Sequence, residues 1–255
     1  MKVSVITVVK DPALGLKATI DSVLRQNFTD WELLIVVGPS NDDTMRIAQE
    51  IQAKDSKVQV ITQKGAGIYE AMNEGIRAAS GEFTWFMNAG DQFDGTEVLN
   101  HAVTQLSLSD VGMLIGGYRI DGASNKQPYV YPEAAVSIFN FAFTRRAGCH
   151  QAMIFRTKIL KDMGGFNSAY SLASDFDLVL KVIKSAGALR VSEVYATIEP
   201  GGRADQGIFN VHRQKHAIRR KALGGPIIYI TSVLWTGLAR AKIILRRFLR
   251  KLLSK

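Results

Sequence analysis

The chain has 255 residues, of which 47% are hydrophobic and 22% are charged. This length and composition predict one large globular domain with an appendage and do not suggest disorder. The single cysteine, Cys149, excludes an internal disulfide, and the first ten residues, MKVSVITVVK, lack the pattern of a signal peptide. We therefore expect a cytoplasmic protein.

The net charge of +9 is unevenly distributed along the chain. Asp205 is the last acidic residue, whereas twelve Lys or Arg residues follow Val211, which leaves about −3 for the rest of the chain. An anionic surface is therefore an expected partner of the C-terminal region only.

Strands and helices alternate in the first ninety residues. Runs rich in apolar and β-branched residues predict strands at 3–9, 32–38, 58–62 and 82–87, and the first two runs indicate strands that are buried on both faces, as in a parallel sheet. Helices are predicted around Ile20 to Asn27, after the capping residues Ser40 to Asp43, and over 68–79. The order βαβαβαβ predicts a doubly wound α/β fold with a mostly parallel sheet.

The rest of the chain continues with three predicted strands, two predicted helices and an aromatic loop. We predict a helix at 95–107, a strand at 113–120, an aromatic loop at 128–143, a strand at 151–155, a helix at 174–186 and a strand at 189–198. Residues 1–205 then form the α/β domain, and residues 206–255 form a separate basic and apolar region.

Ligands of doubly wound sheets bind beyond the carboxyl ends of the strands. The informative loops therefore follow Val9, Val37, Thr62 and Met87. The last of these loops belongs to the segment FMNAGDQF (86–93) and contains one carboxylate next to an apolar strand.

Several segments resemble one known family in their order along residues 1–205. They are TVVKDPALGLKATIDSVLRQNF, GPSNDDT, GIYEAMNEGI, FMNAGDQF, CHQAMIF and SDFDLVLKV. Together they resemble inverting family 2 glycosyltransferases of the GT-A fold, in particular the bacterial enzymes that build O-antigen, capsule and exopolysaccharide. The resemblance implies transfer of one sugar from a nucleotide-sugar donor to a hydroxyl of a saccharide acceptor that is linked to polyprenyl diphosphate.

The resemblance also implies a metal site in the FMNAGDQF loop, which corresponds to the family's Asp-x-Asp element. That element binds a divalent cation, Mn²⁺ or Mg²⁺, together with the donor diphosphate. The donor-binding positions are then Asn88, Ala89, Gly90 and Asp91, and Asp91 is the single metal-binding carboxylate, because Asn88 and Gly90 stand where other acids could be. The alternative is that Asp91 only caps the following helix.

Further donor contacts are expected at the first two strand-end loops. Val9 ends the first strand, and Asp11 is a candidate acceptor of a hydrogen bond from the base or ribose, or alternatively a turn residue before Pro12. Val37 occupies a position where the family often has a base-contacting Asp, and this leaves the nucleotide open.

Three other residues complete the expected donor side. The resemblance places Tyr69 and Asn73, within GIYEAMNEGI, near the donor. Arg203 lies in a Gly-Gly-Arg loop after the last strand, where a guanidinium suits a diphosphate.

The catalytic base is expected at Asp175, which matches the family's acidic motif at a helix start. Asp177 would point elsewhere, because only residues three or four apart share a helix face. The alternative for Asp175 is plain helix capping beside Ser174. His150 and Gln151 match a family element on the acceptor side, although a single His beside a strand is often structural.

The C-terminal region has a pattern that is typical of segments that bind membranes. Residues 222–239 are eighteen uncharged residues, and after Arg240 apolar residues recur on one helical stripe with Arg and Lys opposite. We expect residues 222–255 to bind an anionic membrane surface as an interfacial helix in preference to spanning it, with no nucleic acid as partner. The protein would then be peripheral on the inner face of the cell membrane.

Two other functions remain open from the sequence. A catalytically silent nucleotide-sugar-binding protein would fit the reduced metal motif and Val37. A nucleotidyltransferase would share the sheet and the metal, but KDPALG is a poor version of its Gly-rich basic loop. Zinc clusters, P-loops and Gly-x-Ser-x-Gly elbows are missing from the sequence.

Overall fold

The computed structural model describes residues 1–10, 15–122, 127–143, 148–200 and 207–224, together with Val233, Leu234 and Gly237. Its strands are β1 (Val3–Val9), β2 (Trp31–Val37), β3 (Val58–Thr62), β4 (Phe83–Phe86), β5 (Gln92–Phe93), β6 (Met113–Ile120), β7 (Ala134–Ala135), β8 (Met153–Arg156) and β9 (Ala188–Ile198). Its helices are α1 (Leu16–Leu24), α2 (Thr44–Gln52), α3 (Ile68–Ala78), α4 (Val98–Ser107), α5 (Ile138–Phe143), α6 (Thr157–Asp162), α7 (Ser174–Ala186) and α8 (Ile208–Leu223).

The described strands form one mixed sheet in the order β3-β2-β1-β4-β8-β6-β9-β5, with β7 paired to β9. Strands β1 to β4 pair in parallel, as the alternation of strands and helices predicts. The expected α/β fold with a mostly parallel sheet is therefore confirmed.

The direction of β9 matters for the site. Strand β8 is antiparallel to β4 and to β6, and β6 is parallel to β9. Strand β9 therefore runs in the same direction as β1 and β4. Its carboxyl end, at Ile198, lies at the same edge of the sheet as the loop after β4.

Helices cover both faces of the sheet, as the side chains of β1 show. Val3, Val5 and Val9 pack into the layer formed with α1, α2 and α4. Ile6 and Val8 point to the opposite layer, formed with α3, α5, α6 and α7. Successive strand residues face opposite sides, so a strand that is buried on both sides carries apolar residues on both of its faces.

Several element boundaries differ from the sequence predictions. The predicted aromatic loop at 128–143 contains β7 and α5, and the predicted strand at 151–155 begins only at Met153, after a 3-10 turn formed by residues 150–152. Helix α6 was missed because six residues are too few to show a helical period. Asn27 lies beyond α1, and its backbone N–H donates to the Thr96 carbonyl at 2.9 Å.

Helix α8 packs alongside α7 and runs in the same direction. Near its middle, the Gln214 side chain accepts a hydrogen bond from the Leu172 N–H, just before α7 begins, at 3.0 Å. Near its end, the Ala222 carbonyl accepts one from Lys184 in the last turn of α7, at 3.3 Å. The boundary at residue 205 stays a prediction, and the first helix beyond it lies against the domain. Among the described residues, no helix has the length and apolar character needed to cross a membrane.

Candidate functional site

A cleft of about 430 Å³ opens at the carboxyl ends of β4 and β9. It is lined by residues from the loop after β4, the start of α3, the turn before β8, the start of α7 and the end of β9. The polar or titratable members of this lining include Tyr69, Asn88, His150, Gln151, Asp175 and Glu199. Segments far apart in the chain thus supply one site, as the strand-end argument predicts.

Helix α1 holds the loop Asn88–Asp91 through hydrogen bonds. The buried Thr19 hydroxyl donates to the Asp91 carbonyl at 2.7 Å and accepts a hydrogen bond from the Gly90 N–H at 3.0 Å. Gly90 has a φ of +102°, and a Cβ built on Gly15 would lie 2.7 Å from the Gly90 Cα. The close approach of the loop to the start of α1 therefore requires glycine at position 15, and the positive φ of the loop favours glycine at position 90.

Asp91 is buried, with 6% of its surface exposed, and both of its carboxylate oxygens are hydrogen-bonded. Oδ2 accepts from the Gln151 side-chain amide at 2.7 Å, and Oδ1 accepts from the Glu199 backbone N–H at 3.0 Å. Burial raises the pKa of this carboxyl to about 6, against the lowering effect of the two hydrogen bonds. Asp91 therefore connects the loop after β4 with the turn before β8 and the end of β9.

Asp175 lies at the start of α7 and meets two other predicted site residues. Its Oδ1 accepts a hydrogen bond from the Tyr69 hydroxyl at 3.3 Å, and its Oδ2 lies 3.8 Å from His150 Nδ1. On the other side of the imidazole, Nε2 is 3.3 Å from the Asn88 side-chain nitrogen. A row of polar groups therefore links the base candidate to the loop that carries Asp91.

The environment sets the charge of these groups. Burial lowers the pKa of His150, with nearby Asp175 opposing that change, so the imidazole is neutral near pH 7. Burial also raises the pKa of the Tyr69 hydroxyl, and Asp175 adds to the rise, so Tyr69 stays a hydrogen-bond donor. Asp175 therefore lies next to two neutral groups, and 34% of its side chain is exposed.

Other predicted donor residues lie apart from the cleft lining. Val9 and Val37 are buried in the core, and Ala89 packs partly against it. The Asn73 side-chain amide donates to the Phe166 carbonyl at 2.9 Å and accepts from the Phe166 N–H at 2.7 Å. These contacts give Asn73 a packing role between α3 and the loop after α6.

Two predicted site residues, Asp11 and Arg203, lie outside the described residues. Their roles therefore stay predictions. Sequence reasoning missed Glu199, which lines the cleft directly after β9. The sequence shows that Glu199 follows a predicted strand. Only the direction of β9 places that strand end at the edge of the sheet where the cleft lies.

The oxygen atoms of the Asn88–Asp91 loop fit a hard divalent cation. Asn88 Oδ1 is buried and has no hydrogen-bond partner within the described part of the chain. Each Asp91 oxygen has a second lone pair in addition to the one used by its protein donor. Within those same described ranges, no group of three His, Cys, Asp or Glu side chains is arranged to hold a metal ion. A cation here would use few protein ligands, and Mg²⁺ commonly takes one or two carboxylates and several waters.

Two solved proteins share the fold of this chain. Staphylococcus aureus TarS 1–349 in complex with UDP aligns with a TM-score of 0.72 at 20% identity, over 91% of this chain and 71% of that one. Against the longer TarS chain, the alignment covers 42% of that protein. A mannosyltransferase from Pyrobaculum calidifontis, in complex with GDP-Man and Mn²⁺, aligns with a TM-score of 0.65 at 17% identity, over 94% and 75% of the two chains. These likenesses confirm the expected GT-A fold.

Two relatives found by sequence are also named glycosyltransferases. An uncharacterized glycosyltransferase of Mycobacterium tuberculosis is 26% identical over 229 residues, or 88% of this chain and 86% of the relative. A PGL/p-HBAD biosynthesis glycosyltransferase of Mycobacterium bovis is 28% identical over 188 residues, or 70% and 68% of the two chains. The family model described as "Glycosyl transferase family 2" matches residues 4–171. The chain therefore belongs to glycosyl transferase family 2.

Proposed function

We propose that the protein is an inverting glycosyltransferase that moves one sugar from a nucleotide-sugar donor to a hydroxyl of a saccharide acceptor. The observation that carries this proposal is the position of Asp175. Its carboxylate is partly exposed in the cleft, 3.8 Å from His150 and within hydrogen-bond distance of Tyr69. The loop containing Asp91 lines the same strand-end edge, so a base and a donor-binding loop face one space.

The proposed reaction is a single displacement. Asp175 accepts the proton of the acceptor hydroxyl while that oxygen bonds to the anomeric carbon of the donor sugar. The bond from this carbon to the diphosphate oxygen breaks, and its electron pair leaves with the nucleoside diphosphate. Attack from the side opposite to the leaving group inverts the anomeric centre. Tyr69 and His150 orient the Asp175 carboxylate during the proton transfer.

We propose a divalent cation, Mn²⁺ or Mg²⁺, as the cofactor. Asp91 and Asn88 would hold it, because their carboxylate and amide oxygens are ligands that hard cations prefer. When bound, such a cation neutralises negative charge on the leaving diphosphate. The complexes of the structural neighbours support a nucleotide-sugar donor, since TarS was solved with UDP-GlcNAc and the mannosyltransferase with GDP-Man and Mn²⁺.

A donor panel tests the proposed activity. We expect one nucleotide sugar to raise the melting temperature in the presence of Mn²⁺, because a ligand that binds only the folded state stabilises it. The same donor should be hydrolysed slowly without acceptor and consumed faster with a saccharide acceptor. Binding without any turnover would favour a silent binding protein. Release of diphosphate from a nucleoside triphosphate and a sugar phosphate would favour a nucleotidyltransferase.

We further propose that the acceptor is a lipid-linked saccharide of surface polysaccharide biosynthesis, reached at the cytoplasmic face of the membrane. Support comes from the charge distribution, with twelve cations and no acids after Val211. Each cation near an anionic surface contributes about 1 kcal/mol, and an apolar helical stripe adds buried area. Most of residues 222–255 lie outside the described ranges, so this proposal rests on the sequence.

Removing residues 225–255, which leaves α8 complete, tests the tail. We expect the shortened protein to be released from anionic liposomes in a sedimentation assay. Transfer to a lipid-linked acceptor should fall, whereas a short soluble acceptor should still be glycosylated.

Salt and lipid composition provide the controls for the tail. High salt should release the full-length protein if residues 222–239 lie on the membrane, and leave it bound if they span the bilayer. Neutral liposomes should bind it weakly. Equal sedimentation of the shortened and full-length proteins with anionic liposomes would contradict the proposed anchor.

A further inference from the structure

Gly90 stands where the family resemblance allows an acid, and another acidic side chain fills the space beside it. A Cβ built on Gly90 would lie 2.1 Å from Glu199 Oε2, far below a van der Waals contact. A side chain at position 90 and the observed Glu199 carboxylate therefore exclude each other. The carboxylate of Glu199 lies over the backbone of the donor loop, where an acid at position 90 would begin.

The backbone holds Glu199 in this position. Its N–H donates to Asp91 Oδ1 at 3.0 Å, and it directly follows β9, whose carboxyl end lies at the cleft edge. The Glu199 side chain is exposed and lines the same cleft as Asn88 and Asp175. Within the described ranges, no residue forms a hydrogen bond or ion pair with its carboxylate. Each Asp91 oxygen already accepts one protein hydrogen bond, whereas neither Glu199 carboxylate oxygen has a donor among the described residues.

We propose that Glu199 is a second carboxylate ligand of the divalent cation that accompanies the donor diphosphate. The proposal rests on the proposed function. Asn88 Oδ1, buried and without a partner among the described residues, offers a neutral oxygen at the same loop. Hard cations such as Mn²⁺ and Mg²⁺ bind such oxygen ligands. An acid from the end of β9 thus replaces the one missing from position 90.

The isosteric variant Glu199→Gln tests this assignment in the full-length protein. Binding of Mn²⁺ is measured by electron paramagnetic resonance, which counts the free ion, with Mn²⁺ alone and with Mn²⁺ plus UDP or GDP. In the presence of the nucleotide, we expect Glu199→Gln to bind Mn²⁺ at least about tenfold more weakly than the wild type does. Even changes to residues outside the first shell of a metal site lower metal affinity by about that factor. Nucleotide binding in the presence of a chelator should be unchanged.

Glu193→Gln is the matched control. Glu193 is an exposed glutamate on β9, the strand that precedes Glu199, but it lies against His101, away from the cleft, with 3.4 Å between Glu193 Oε2 and His101 Nε2. This variant should bind Mn²⁺ as the wild type does. Mn²⁺ affinity of Glu199→Gln within twofold of the wild-type value would overturn the assignment.

Failure of the proposed function gives a different result. If the wild-type protein binds neither UDP nor GDP, with or without Mn²⁺, then the donor proposal fails and the Glu199 assignment fails with it. If the wild type binds a nucleotide with Mn²⁺ and Glu199→Gln does so equally well, then only the Glu199 assignment fails.

Discussion

Replacing Asp175 with Asn is expected to remove sugar transfer while leaving donor binding intact. Asparagine keeps the size of the side chain and can still accept the Tyr69 hydrogen bond, but it cannot accept the acceptor's proton. Loss of a positioned general base lowers turnover by about 10²–10⁴-fold. The rate of transfer, and donor affinity from the thermal shift, measure the two effects separately.

Asp177→Asn is the matched control for this prediction. Asp177 lies two residues along the same helix, and its carboxylate forms an ion pair with Lys181 at 2.6 Å. Its loss should lower the melting temperature and leave the turnover of the folded protein close to normal. Near-normal turnover of Asp175→Asn, or an equal loss of turnover in Asp177→Asn, would contradict the assignment of the base.

Replacing Asp91 with Asn is expected to abolish cation-dependent donor binding without unfolding the protein. The new side-chain oxygen can accept the Glu199 N–H, and rotation of the Gln151 amide can supply the other hydrogen bond. The negative charge beside the proposed cation is lost. Donor titrations with and without Mn²⁺ should show that the difference between the two conditions disappears. A Mn²⁺-dependent affinity equal to that of the wild type would contradict the role of Asp91.

The pH dependence of stability gives this variant a second readout. The folded-state pKa of Asp91 is raised to about 6, above its value in the unfolded chain, so the folded state binds the proton more tightly. Protonation of Asp91 therefore adds about 3 kcal/mol to the free energy of unfolding below about pH 4. This contribution is lost as the pH rises through about 6. Melting temperatures between pH 4 and 7 should show this decrease in the wild type and a smaller one in Asp91→Asn.

The central strands and the helix that carries Asp175 were predictable because local patterns decide them. Five of the seven buried residues of β1 are apolar, and α7 begins with Ser174 and two acids in its first turn, as helix starts commonly do. The loop after β4 was also predictable as a site, since parallel strands bring their carboxyl ends to one edge.

The remaining features depend on contacts between distant parts of the chain. Glu199 reaches the cleft only because β9 runs parallel to β4, and two antiparallel pairings between them determine that direction. The two-residue strand β5 is too short to leave a pattern. Asn73 lies in a motif of the family resemblance, yet its amide is used by the backbone of Phe166, 93 positions away. No local signal distinguishes such a residue from one that contacts a ligand.

The direction of α8 has a consequence for the geometry of transfer at a membrane. Lys215, in the second turn of α8, borders a small cavity that also contains Asp175, whereas the helix ends at Leu223, beside the last turn of α7. Eight residues of helix separate these two points, a rise of about 12 Å. If the tail binds the bilayer as proposed and α8 points toward it, the reacting hydroxyl lies about this far from the lipid headgroups. The enzyme would then reach the outer sugar of a partly built chain more easily than a sugar attached directly to the lipid diphosphate.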